Sequence, residues 1–329
     1  MPETRKSGRA RCPRRSHSLV AVMTRPAFYP TSQGAPAAPA ALWEGYGYGF
    51  LGVLVFSLTL PMTRLAVAEL APLLVGLGRA LLAAVPAVAV LWLTRARRPN
   101  RQEWPGVILA ALGIVVGWPL ASSLAMQTVP AAQGAVFNGL LPLSTAAFAA
   151  LRSGERPSPG FWAWAVLGAA LVTAYALRQG NGTLETGYLW LLLAVVLGGM
   201  GYAEGARASR TLGGGRTICW ALVISAPVVA APVGWMAAQQ ASWPTASVIY
   251  ACAYLALGSM FLGFFAWYRG LAVGGIARVG QVQLLQPFLT VVAAAMLFGE
   301  SVEPATYVFA AAVIAVIAGG RRAIVRTKK

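Results

Sequence analysis

Glu204 and Arg207, in the stretch Gly-Tyr-Ala-Glu-Gly-Ala-Arg (201–207), and Arg79, in Gly-Arg-Ala (78–80), stand out because each interrupts or closes a long apolar run. An acid inside an apolar helix carries a cost of roughly 2.5 to 3.5 kcal/mol on insertion scales, so it usually has a task or a partner. For Glu204 the task would be proton coupling. The partner would be Arg207, three residues on and on the same helical face. Both readings stand. Arg79 lies about 10 Å into its run, where it would snorkel, brace a helix end or meet a substrate carboxylate. Uncharged polar residues in the same runs suit a binding cavity, since a small metabolite needs a few orienting hydrogen bonds in an otherwise apolar pocket. These are Gln133 and Asn138 in one run, and Gln281, Gln283 and Gln286 in another. Trp118, Tyr202 and Tyr254 are candidate walls, with Trp267 and Tyr268 behind them. Membrane-embedded enzymes need clustered carboxylates for metal, or His, paired Asp or an activated Ser. The chain has no Asp and a single His, His17, so neither catalysis nor a metal or cofactor is expected. Cys12, Cys219 and Cys252 have no metal-site or disulfide spacing.

Those residues need helices to position them, and the composition says of what kind. The chain is 58% hydrophobic and 11% charged with mean hydropathy +0.66, far from a soluble domain. Its +17 charge is almost entirely arginine, but no soluble domain carries the basic patch and aromatic partners of a nucleic-acid binder. Runs of the length that crosses a bilayer occur at 46–63, 72–93, 105–123, 131–151, 160–177, 187–206, 217–236, 245–266, 279–298 and 304–320. The sequence therefore predicts an all-α polytopic membrane protein with ten transmembrane helices. Of 26 Lys and Arg, 23 fall in alternate loops and the two tails, which predicts both termini on the cytoplasmic side. Residues 1–45 read as a disordered basic tail that favours anionic lipid, with Met23 an alternative start, and 321–329 as a second basic tail.

One segment is written twice. NGLLPLSTAAFAALRSGERPSP (138–159) aligns without gaps on QLLQPFLTVVAAAMLFGESVEP (283–304), with eight of 22 positions identical. The copies occupy the fourth and ninth runs. Five spans separate them, an odd number, so the halves 46–177 and 187–320 run through the membrane in opposite directions as an inverted 5+5 repeat. Such repeats open a midplane site to each side in turn. Pro142 and Pro287 recur in the repeat and are candidate hinges, and Asn138 and Gln283 are equivalent residues that should approach the pseudo-axis from opposite halves.

Ten spans in two halves, the early Arg79, the N-x-L-L-P to Gly-Glu-Arg-Pro segment of 138–157 and its Leu-Gln-Pro to Gly-Glu counterpart resemble the EamA-type branch of the drug/metabolite transporter superfamily. The resemblance covers about 46–320. It implies a multi-pass bacterial inner-membrane carrier that exports amino acids or other small metabolites through a central cavity. Glu204 departs from it, standing where the broader family often has an apolar residue. The expected function is a secondary exporter working by alternating access, with Asn138, Gln283, Gln286, Trp118, Tyr254, Tyr202 and Arg79 at the substrate and Glu204 coupling protons. The alternatives are a facilitative channel or exchanger, or a non-transporting scaffold. A small-molecule substrate and membrane lipid are the implied partners, and a second copy of the chain is a further candidate.

Overall fold

The computed structural model describes residues 39–153, 159–179, 185–274, 279–299 and 303–322, and every regular element among them is helical. The tails 1–38 and 323–329, the residues Glu155, Arg156 and Glu300, and the side chain of Gln281 lie outside the described residues. The helices are α1 (Leu42–Val67), α2 (Pro72–Leu93), α3 (Trp104–Ala125), α4 (Ala131–Arg152), α5 (Pro159–Gln179), α6 (Thr186–Leu212), α7 (Gly214–Ala238), α8 (Ala246–Gly274), α9 (Gln286–Phe298) and α10 (Pro304–Arg322). Seven of them, α1 to α4 and α6 to α8, have both the length and the hydropathy of a membrane span. The protein is a polytopic helical membrane protein. Leu42–Val67 is the apolar stretch of α1, whose helix begins three residues earlier at Pro39, inside the stretch the sequence assigns to the tail, because a proline at the first position followed by alanines favours helix. Likewise α6 runs on to Leu212, so Arg207 and Arg210 project from a helix and not from a loop.

The helices are interrupted in ways the residues explain. Pro142 lacks the N–H that would close on the carbonyl of Asn138, and α4 breaks there, with a turn at Gly139 and Leu140 before the helix resumes at Leu141. Pro287 stands in the same relation to Gln283, and α9 is preceded by a 3₁₀ segment, Gly280–Leu285. Helices α3 and α8 each carry a widened π segment, Ala111–Gly117 and Tyr254–Gly263. Such segments often mark functional sites. Gly213, at φ 91°, makes the sharp reversal between α6 and α7 that a side chain would strain.

Helix α7 packs along α2, α8 along α1, α6 against both α3 and α4, α9 against α4 and α10 against α5. Because lipid tails are as apolar as leucine, packing and small residues hold such helices together. At the α3–α6 crossing the backbones touch: a Cβ on Gly113 would lie 2.8 Å from Gly201 Cα, and one on Gly201 would lie 2.5 Å from Ile114 Cγ1. Aromatic residues fill the centre of the bundle, with Phe56 4.9 Å from Phe264 and Tyr202 5.7 Å from Trp267 between ring centroids. Outward-facing Trp92, Val85, Val228 and Met296 are exposed, as a lipid-facing surface requires.

Candidate functional site

A small enclosed cavity lies where α1, α2, α3, α6, α8 and α9 meet. Its free volume is about 20 Å³, room for a single water. Four of the residues singled out from sequence line it: Arg79, Trp118, Tyr202 and Gln286. Each reaches it for a local reason. Arg79 is on the buried face of α2, Trp118 directly follows the π segment of α3, and Gln286 opens α9 after the 3₁₀ segment. The Arg79 guanidinium carbon sits 5.3 Å from the centre of the Trp118 ring, an attractive cation–π arrangement. Opposite them, Thr59 and Ser259 share a hydrogen bond of 2.8 Å that joins α1 to the π segment of α8.

The hydrogen bonding of this cavity is incomplete. Arg79 is 3% exposed, yet its Nε and Nη1 have no acceptor. Trp118 Nε1 likewise has none. The Gln286 amide donates through Nε2 to the Phe56 carbonyl at 3.4 Å, while its Oε1 has no donor. More than nine in ten buried polar groups find partners, so a cluster of exceptions in one place calls for an explanation.

The other sequence candidates lie outside the cavity lining. Asn138 is buried in α4 with its Nδ2 unpartnered, and Gln283 lies against the Tyr202 hydroxyl, with no well-formed bond at its own Nε2. The Tyr254 hydroxyl donates to the Val55 carbonyl at 2.7 Å, a tie between α8 and α1. Gln133 accepts a bond of 2.7 Å from the Tyr188 hydroxyl and joins α4 to α6. Tyr268 donates to the Gly201 carbonyl, and Trp267 is buried with its Nε1 unpartnered. The cavity residues that sequence reasoning passed over are Phe56, Thr59, Ile114, Ser259, Met260 and Phe264. Thr59 and Ser259 could have been noticed as lone hydroxyls inside apolar runs, but nothing in the sequence pairs positions 200 residues apart.

Glu204 sits away from the cavity, toward the end of the bundle where the arginines cluster. It is 2% exposed, and both oxygens are taken: Oε1 accepts from Arg152 Nε at 2.6 Å and Oε2 from Arg207 at 2.8 Å. The first bond crosses from α6 to α4. Nearby, Arg97 forks onto both oxygens of Glu103 at 2.6 and 2.7 Å, and Thr211 at the end of α6 donates to the same carboxylate at 2.7 Å. Arg97 and the backbone N–H of Asn100 hold the Glu103 carboxyl down at about 2. At the opposite end Arg64 donates to the Met126 and Val129 carbonyls, and Glu69 accepts from the backbone and the hydroxyl of Thr245.

The profile of the EamA-like transporter family matches this chain twice, over residues 43–175 and 185–319. The chain belongs to the EamA-like transporter family. Among its relatives, the uncharacterized transporter YdeK of Bacillus subtilis is 44% identical over 281 residues, which span 85% of this chain and 97% of YdeK. The aromatic amino acid exporter YddG of Ancylobacter novellus is 26% identical over 191 residues, 58% of this chain and 66% of YddG. A crystal structure at 20% identity superposes with a TM-score of 0.59, over 85% of this chain and 95% of its own. In this EamA-like transporter the cavity joins polar side chains of both family repeats, and the arginine-rich end carries the ion pairs of Glu103 and Glu204.

Proposed function

We propose that the protein is an alternating-access exporter of amino acids or similar small metabolites across the bacterial inner membrane. Its ten spans would form an inverted 5+5 repeat of residues 46–177 and 187–320, with both termini and the arginine-rich end facing the cytoplasm. The observation that carries this reading is a closed cavity to which both halves contribute: Thr59, Arg79 and Trp118 from one, Tyr202, Ser259 and Gln286 from the other. A volume of about 20 Å³ fits a carrier between its open forms.

The helix contacts support the symmetry. A two-fold exchange of α1–α5 with α6–α10 maps the pairs α2–α7, α4–α9 and α5–α10 onto themselves and exchanges α1–α8 with α6–α3, and all of these pairs pack together. The π segments in α3 and α8 and the proline-linked breaks at Pro142 and Pro287 obey the same exchange. The name of the YddG relative, an aromatic amino acid exporter, supports the substrate class. For Glu204 the geometry favours a clamp between α4 and α6 over a proton carrier, because each oxygen already holds an arginine.

The test is flux into and out of proteoliposomes with labelled amino acids. Saturable flux that speeds up when unlabelled substrate is placed on the far side identifies a carrier. Unsaturable flux would identify a channel, and no flux across the panel would leave a scaffold. An enclosed pH dye in the same vesicles reads proton coupling. A proton signal that accompanies flux and disappears in Glu204→Gln would reinstate Glu204 as the coupling residue.

A further inference from the structure

We infer that the cavity recognises a metabolite through one carboxylate, with Arg79 as the counter-charge, and takes a hydrogen-bond donor carried beside that carboxylate on Gln286. The inference rests on the transport reading only for why the ligand comes and goes. Three donors point into or border the cavity without acceptors: Arg79 Nε, Arg79 Nη1 and Trp118 Nε1. One acceptor, Gln286 Oε1, lacks a donor. A buried, unpaired guanidinium is among the most expensive groups to keep in a protein, and its ordinary remedy is a carboxylate. Among the described residues no carboxylate pairs with it, and its titratable neighbours are Tyr202 and Cys252. Of the six described acids, Glu44, Glu69, Glu103, Glu204 and Glu303 are engaged elsewhere, and Glu185 sits at the start of α6. The missing negative charge therefore has to arrive with the ligand.

The count of charges narrows the class. A single guanidinium lines the cavity with no second base, which matches one carboxylate and not a phosphate dianion. The unpaired acceptor is a neutral amide, suited to an ammonium or hydroxyl next to the carboxylate. The remaining walls are Phe56, Ile114, Met260 and Phe264, with Tyr202 and the hydroxyls of Thr59 and Ser259, which are bonded to each other, so the rest of the ligand is mainly apolar. This describes apolar 2-amino and 2-hydroxy acids. About 20 Å³ does not hold one, so the halves must part to admit it.

The experiment uses the full chain in nanodiscs and follows tryptophan fluorescence and melting with L-leucine, L-phenylalanine and 2-hydroxyisocaproate, their amides, and inorganic phosphate. The acids should bind, the amides should bind about 10- to 100-fold more weakly, and phosphate should do nothing. Arg79→Gln should abolish the difference between acid and amide, and Arg79→Lys should keep part of it. Without ligand, Arg79→Gln should melt higher than wild type, since it removes a buried charge that the Trp118 ring balances only in part; an arginine that merely braces the helices would do the reverse. Equal binding of acid and amide, no response to any acid, or an unchanged preference in Arg79→Gln each overturns the inference. Should Arg79→Gln fail to fold, the acid and amide comparison on the wild type decides alone. Proteoliposome flux separates the two readings. Amides carried as well as acids would remove the carboxylate site and leave the transporter, whereas acids bound but never moved would keep the site and remove the transport.

Discussion

Arg79 in the cavity and Glu204 at the arginine-rich end are buried alike, at 3% and 2% exposure, yet Arg79 leaves two nitrogens without acceptors while Glu204 has an arginine on each oxygen. The cavity continues this pattern through Trp118 and Gln286, and the arginine-rich end continues its own through Glu103, which accepts from Arg97, Asn100 and Thr211. Burial alone therefore does not distinguish a site from a brace. What distinguishes them is whether the polar groups are spoken for when the protein stands by itself.

That contrast can be broken most severely at the brace. Removing both arginines, in Arg152→Ala with Arg207→Ala, strands a buried carboxylate and should cost about 3 to 5 kcal/mol, read as a lower melting temperature and a reduced folded yield. If melting is unchanged, Glu204 is no clamp. Next comes acid. The Glu103 carboxyl is held at about 2, below its ordinary value of 4.5. Its contribution is thus present above about pH 4.5 and is lost as pH falls toward 2, on the order of 2 kcal/mol after allowing for the half-exposed arginine. Melting scans from pH 6 to 3 should fall for wild type and fall less for Glu103→Gln; parallel curves would contradict the assignment.

The cavity should respond with the opposite sign. Arg79→Met, with no ligand present, should raise stability by about 1 to 2 kcal/mol, and a loss of that size would class Arg79 with the brace. The smallest effect is expected at the shared hydroxyls. Ser259→Ala leaves Thr59 without its partner and should cost about 1 kcal/mol, while Thr59→Val with Ser259→Ala should recover much of it. Additive losses from the two changes would mean that each hydroxyl is bound independently.

The helical class, the membrane and the family were legible because apolar runs and arginine-rich loops are properties of segments, and segments are what a sequence displays. Arg79, Trp118, Tyr202 and Gln286 were legible as polar or amphipathic residues in apolar surroundings. The cavity itself was not. Thr59 and Ser259 meet only because α1 and the π segment of α8 are adjacent, and a π segment is a matter of local hydrogen-bond register that Tyr-Leu-Ala-Leu-Gly does not announce. Tyr254 looked like a cavity wall by depth, but its hydroxyl is committed to the Val55 carbonyl. Whether Glu204 faces a pocket or an arginine depends on rotation about the helix axis and on Arg152, which is 52 residues away and invisible to local spacing.

The bare backbone crossing at Gly113 and Gly201 acquires a mechanical meaning from its neighbours. Three residues beyond Gly201, α6 carries Glu204, which holds Arg152 of α4, and three residues before it α6 carries Gly198, where a Cβ would lie 2.7 Å from Trp118 Cδ1. One helix thus touches both the ion pair and the cavity wall, on opposite sides of the point where its backbone meets α3. A tilt of α6 about that point would disturb both contacts at once.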